Sequence, residues 1–206
     1  MPVSKLQKDA LVEFLNVAIG RAARALNLMV KEEILLSIPN VDFLQRHEVL
    51  ARLNETTGGV VSAIQQTFES SFSGDAFLVF PENQSLKLVQ YIIGDLIDEE
   101  SMTELEQETM TEVGNVVLNA CMSSLSDQLN QPIQSSIPLF LSGDPQEILF
   151  GPHPRQSDDT LVMFITVMFQ MKSGQIGGYI MLVLDMDSAN NFLGQIDKML
   201  PPPNDE

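Results

Sequence analysis

Asp9-Ala10-Leu11-Val12-Glu13-Phe14-Leu15-Asn16 and Glu108-Thr109-Met110-Thr111-Glu112-Val113-Gly114-Asn115 are two versions of one pattern, set 99 residues apart. Each is followed at the same distance by a proline, Pro39 in the first copy and Pro138 in the second. An acid, a Glu four residues on, an Asn three further and a Pro twenty-three beyond that define a duplicated unit carrying two polar sites. At 100° per residue, Glu13, Asn16 and Gly20 fall within about 40° of Asp9 on a helix. Leu11, Phe14, Ala18, Ala22, Ala25 and Met29 cluster on the other side, near roughly 200°. In the second copy Glu108, Glu112, Asn115 and Asn119 make the polar face, opposite Met110, Val113, Val117 and Cys121. Ser124 and Gln128 come next on that stripe, which predicts that it weakens after Cys121. Both Glu/Asn pairs are expected on exposed helix faces.

The segments after the two helices repeat as well. Ile34–Pro39 and Ile133–Pro138 predict short strands ended by proline, which cannot donate to a continuing ladder. Val41–Leu53 reads as helical or irregular, and Gly143–Asp159, with Gly151, Pro152 and Pro154 around His153, as an exposed loop. Val60–Ser71 and Ala76–Phe80 predict strands flanking Ser73-Gly74-Asp75; Leu161–Met171 and Ile176–Leu184 predict strands flanking Lys172-Ser173-Gly174. Closing helices are expected near Glu82–Ile93 and Ser188–Leu200. The chain of 206 residues therefore reads as one α/β domain of two pseudo-symmetric halves, about 1–98 and 99–206, each helix, strand, hairpin, helix. The halves are expected to share one sheet about a pseudo-twofold axis, covered by helices.

Composition limits the chemistry. With 44% hydrophobic residues the chain can bury a sizeable core, and no apolar run approaches the ~20 residues of a membrane span. A soluble cytoplasmic protein is expected, with no membrane partner. The net charge of −17 opposes a nucleic-acid surface and favours protein partners that offer Lys or Arg. The single cysteine, Cys121, lies on an apolar stripe and reads as a small buried hydrophobe rather than a nucleophile. His47 and His153 occupy unmatched positions and read as surface residues, and the eleven methionines as core filler.

No His lies near either motif, and there is no Cys/His metal spacing or phosphate-binding glycine loop. A carboxamide, however, both donates and accepts hydrogen bonds, so an exposed Asn can hold a water in line with a phosphorus while a neighbouring Glu anchors a cation on the partner. Asn in mid-helix is costly relative to Ala, Lys or Glu, and its recurrence at the same register argues against an incidental surface residue. Gly20 and Asn119, at matching positions, read as packing or access residues.

The spacing resembles the signature of the CheC/CheX/FliY phosphatases of bacterial and archaeal chemotaxis: Asp or Ser, three residues, Glu, two residues, Asn, twenty-two residues, Pro. Both copies match at Glu, Asn and Pro, and the first also at Asp9; the second carries Glu108 at the initial position. The small-residue stretch Asn16–Leu26 looks like the family's helix after the Asn. Two motifs make the chain most like CheC. The resemblance implies hydrolysis of the aspartyl phosphate of a CheY-type receiver. Glu13 and Glu112 would bind the receiver's Lys, Asn16 and Asn115 would orient the attacking water, and Asp9, Pro39, Glu108 and Pro138 would support them. It implies no cofactor bound by this chain, Mg²⁺ residing on the receiver, and the deamidase CheD as a possible second partner. A receiver-binding or flagellar-switch adaptor without catalysis is the alternative. The end of the chain at Pro201-Pro202-Pro203-Asn204-Asp205-Glu206, without the extra domain of motor-switch relatives, favours the enzyme. If only one site works, the first is expected to be that one. A monomer is expected, because duplication already supplies the symmetry a dimer would.

Overall fold

The computed structural model describes residues 3–30, 33–93, 104–151, 160–172 and 174–200. In chain order its elements are α1 (Lys5–Met29), β1 (Leu35–Gln45), α2 (Arg46–Thr57), β2 (Val61–Glu69), β3 (Ser73–Pro81) and α3 (Glu82–Ile93). These are followed by α4 (Glu104–Leu129), β4 (Gln134–Ser135), β5 (Leu139–Gly143), α5 (Pro145–Phe150), β6 (Thr160–Met171), β7 (Gly174–Asp185) and α6 (Met186–Met199). The seven strands form one antiparallel sheet in the order β1-β6-β7-β3-β2, with β4 and β5 both on the outer edge of β2. The order reads alike from either end. The hairpins β2–β3 and β6–β7 meet at the centre through β3 and β7, and each motif strand pairs with the hairpin of the other half.

Period-two alternation in the strands sorts the core into two layers. Ala76, Leu78 and Phe80 of β3 join residues of α1, α3, α4 and α6 on one face. Phe77 and Val79 join Val49 and Leu53 of α2 and Ile148, Leu149 and Phe150 of α5 on the other. α1 starts at a capping box, in which the Ser4 hydroxyl accepts from Gln7 N–H and the Gln7 carboxamide from Ser4 N–H. α1 and α4 pack on one another, and the buried Ser124 hydroxyl donates to the Phe14 carbonyl at 3.0 Å.

Pro39 lies at an irregularity within a strand rather than at its end, whereas Pro138 lies in the gap between β4 and β5. β1 runs through Pro39, and its register against β6 shifts between Ser37 and Asn40, so that one extra residue bulges there. On the other edge Ser135 pairs with Phe68 and Leu139 with Gln65, leaving one extra residue around Pro138. Edge strands have one side without ladder partners, so a proline at a bulge loses no hydrogen bond and pairing resumes beyond it.

Three further local readings change. Ser73-Gly74-Asp75 belongs to β3, and the turn is Ser70-Ser71-Phe72, closed by Ser70 N–H to Phe72 C=O at 2.8 Å. Gly74 is required by close approach, since a Cβ there would collide with the Val183 carbonyl of β7, and the buried Asp75 accepts from Gln65 Nε2 at 3.1 Å. The segment expected to be an exposed loop contains α5, whose N-cap Asp144 accepts from the N–H groups of Gln146 and Glu147 and which buries Ile148, Leu149 and Phe150. Residues 152–159, including His153, lie outside the described residues. The α4 stripe does not weaken after Cys121 but widens through Leu118, Met122, Leu125 and Leu129, because α4 packs against α1 as well as the sheet. In α1 the buried stripe centres on Leu11, Leu15, Ala18, Ile19, Ala22 and Leu26, leaving Phe14 half-buried and Met29 exposed.

Candidate functional site

The long motif helices present their polar faces outward. On α1, Asp9, Glu13, Asn16 and Gly20 are all exposed. Among the described residues, the side chains of Asp9, Glu13 and Asn16 make no hydrogen bond or ion pair, so both functional groups are available to a partner. One turn away lies a charge cluster on β1 and α2. Asp42 accepts from Asn40 Nδ2 at 2.6 Å and Arg52 Nη1 at 2.6 Å, and Lys8 Nζ stands 3.4 Å from its other oxygen. Burial works to raise the Asp42 pKa, but the Arg52 hydrogen bond and charge, with the Lys8 charge and the Asn40 bond, outweigh it and leave the carboxyl below its ordinary value. Lys8 and Asp42 line an open depression of about 600 Å³ with His47, Glu48 and Arg52.

The α4 site has a different character. Glu108 and Glu112 are exposed and line an open groove of about 440 Å³ with Glu104, Gln107, Thr111, Leu139 and Phe140. Leu139 and Phe140 directly follow Pro138, so the bulge in the edge strand places an apolar floor against the motif helix. Where α1 begins with Lys5 and Lys8, α4 has Glu104 and Gln107, and no base lines this groove. Its potential is negative and suits an ammonium head with an aliphatic stem.

Asn115 and Asn119 are half-buried rather than exposed. Asn119 Nδ2 donates to Asn115 Oδ1 at 2.6 Å. Gln66 of β2, only 1% exposed, directs Nε2 to Asn119 Oδ1 at 3.4 Å and to the Ser136 carbonyl at 3.2 Å. This chain of amides was not legible as a site. The Asn-x-x-x-Asn spacing in α4 was its only sequence signal, since Gln66 comes from the other half. Gly20, the α1 counterpart of Asn119, has open space where a Cβ would stand, so packing does not account for it.

Cys121 is buried, and its thiol pKa is pushed up to about 12 by burial, the state of an unreactive core residue. His47 is exposed on α2. Among the described residues no group of three or more His, Cys, Asp or Glu is placed to hold a metal ion, and no helix is long and apolar enough to cross a membrane.

Comparison with known proteins sets this fold beside those of chemotaxis and flagellar-switch proteins. No protein-family model matches the chain. The flagellar motor switch phosphatase FliY of Bacillus subtilis (strain 168) is 23% identical over 176 residues, 84% of this chain and 44% of its own length. The CheY-P phosphatase CheC of the same organism is 23% identical over 142 residues, 66% of this chain and 66% of its own. The chain thus spans between about half and two thirds of the length of these curated relatives. Among solved structures, Thermotoga maritima FliY superposes with a TM-score of 0.77 at 18% identity, covering 97% of this chain and all of that one. The FliM middle domain from H. pylori gives 0.71 at 10% identity, covering 94% and 99%. CheX in the CheX-CheY-BeF3-Mg²⁺ complex from Borrelia burgdorferi gives 0.53 at 16% identity, covering 84% and 99%. The chain is thus similar in sequence to FliY and CheC and in fold to FliY, FliM and CheX.

Proposed function

We propose that this protein dephosphorylates a CheY-type receiver, with Asn16 and Asn115 orienting the attacking water and Glu13 and Glu112 anchoring the receiver's active-site Lys. The observation that carries the reading is the repeated Glu/Asn pair, placed twice on an outward helix face with both Glu carboxylates open to a partner. An Asn Oδ1 accepts one proton of a water and so aims an oxygen lone pair at phosphorus, while the Glu charge fixes the partner's ammonium. The phosphoryl group and its Mg²⁺ arrive on the receiver, so this chain supplies position and a dipole rather than a nucleophile. Asp9 and Glu108 add negative charge one turn before each Glu, and Pro39 and Pro138 shape the edge strands beside the helices. A cytoplasmic, monomeric protein suits this role, with a CheD-type deamidase as a possible second partner.

The likeness to the FliM middle domain supports a second reading, a receiver-binding or flagellar-switch adaptor without turnover. The two part in one assay, in which phosphorylated receiver in tenfold excess is mixed with this protein and Mg²⁺ and phosphate release is followed. Release beyond one equivalent per protein, faster than receiver alone, is expected of the phosphatase. Phosphorylation-dependent binding without acceleration would establish the adaptor instead.

A further inference from the structure

The two motifs differ most at the residue one turn after the Asn: Asn119 on α4, Gly20 on α1. Asn119 Nδ2 holds Asn115 Oδ1 at 2.6 Å, and Asn119 is itself held by the buried Gln66, which also grips the Ser136 carbonyl just before Pro138. Among the described residues the other half has no comparable chain of amides. Gly20 offers no side chain, and the β6 residue opposite the Pro39 bulge is Val167, between Thr166 and Met168, which pair with Asn40 and Ser37. The carboxamide of Asn16 is free to rotate, whereas that of Asn115 has one Oδ1 lone pair committed. Its second lone pair and its two N–H donors make no hydrogen bond among the described residues.

Resting on the phosphatase reading, we infer that Asn119 and Gln66 are positioning residues for Asn115, and that they make the α4 site a preorganised water-orienting site while the α1 site orders its Asn only when the receiver docks. On this inference the α4 site, and not the α1 motif that matches the family signature better, is the stronger of the two. Ordering a side chain at the moment of binding costs an amount equivalent to about two- to tenfold in rate, and α4 has met that cost in folding. The hydrogen bond that Asn119 Oδ1 accepts from Gln66 polarises the Asn119 amide and strengthens its Nδ2 as donor to Asn115.

The test isolates each site. In an Asn16→Ala background, Asn119→Ala removes the donor at no cost in helix propensity. It is expected to lower kcat about two- to tenfold with KM changed less than twofold, while Asn119→Gln, which keeps a donor, retains more of the activity. In an Asn115→Ala background, Gly20→Asn, for which there is open space, is expected to raise kcat at the α1 site. Independently of turnover, ¹⁵N relaxation of the Asn115 side-chain amide should show a higher order parameter than Asn16, lost in Asn119→Ala. An Asn115 amide as mobile as that of Asn16, or one loosened by Asn119→Ala with kcat unchanged, overturns the inference. If the wild-type protein gives no turnover, the proposed function falls, and the relaxation comparison alone decides whether Asn115 is held.

Discussion

Replacing Gly114 by Ala probes how α4 is seated beneath the second site. A Cβ at Gly114 would stand 2.5 Å from Ile64 Cβ and 2.6 Å from its Cγ1. Carbon atoms in contact prefer about 3.5–4.0 Å, so the deficit is about 1 Å. Ile64 cannot swing aside, because its Cβ is fixed to β2, which is paired on both sides, Ile64 with Leu78 of β3 and with Phe140 of β5. α4 must therefore lift. Overpacking of this kind costs about 1–3 kcal/mol, against which the helix propensity gained from Gly to Ala returns up to ~1 kcal/mol. The net loss, up to about 2 kcal/mol, lowers Tm by up to roughly 8 °C for a chain of this size. Because Asn115 is the next residue, the same shift moves the carboxamide, and a 1 Å displacement of a positioning group can cost up to ~10²-fold in rate. Calorimetry should show the lower Tm. Phosphate release should fall in the Asn16→Ala background, where only the α4 site acts, and stay unchanged in the Asn115→Ala background. Ile64→Ala combined with Gly114→Ala should cost less than the sum of the two single changes. A Gly114→Ala protein with wild-type Tm and full α4-site turnover would refute the close-packing argument.

Further outcomes follow from the same geometry. Glu13→Lys and Glu112→Lys should each weaken receiver docking at their own site by about 2 kcal/mol, roughly thirtyfold in Kd, more at low than at high salt, as titration calorimetry in single-site backgrounds can measure. Asp42 has a folded pKa below its unfolded value, so its contribution is present above about pH 4 and is lost as pH falls through the folded pKa. Asp42→Asn should therefore be less stable than wild type at pH 7, and the gap should close in denaturant titrations as the pH is lowered toward 3. Cys121, with its thiol pKa pushed up to about 12 in the core, should resist iodoacetamide at pH 8 until the protein is unfolded by denaturant, and mass spectrometry distinguishes the two states.

The elements best read from sequence were those set by local periodicity. Long amphipathic helices placed Asp9, Glu13, Asn16, Glu108 and Glu112 outward, and alternating apolar runs gave both hairpins. What escaped was decided by distant partners. Pro39 reads locally as a terminator, yet the edge position of β1 lets the strand bulge and continue. Ser73-Gly74-Asp75 has turn composition, yet Gly74 is small because β7 crosses it and Asp75 is paired with Gln65 across the hairpin. The widened α4 stripe follows from a helix that contacts two neighbours, which a single-face pattern cannot express. The amide chain behind Asn115 joins β2 to α4 and the segment before β5, so only the assembled sheet brings its members together.

The central claim is that the two Asn carboxamides orient the hydrolytic water. Its most direct test is the decay of phosphorylated receiver, with Mg²⁺, in the presence of wild type and of the Asn16→Ala/Asn115→Ala double variant, with circular dichroism and Tm confirming that the double variant folds. The account predicts decay at the rate of receiver alone while phosphorylation-dependent binding persists. Acceleration equal to that of wild type would contradict it.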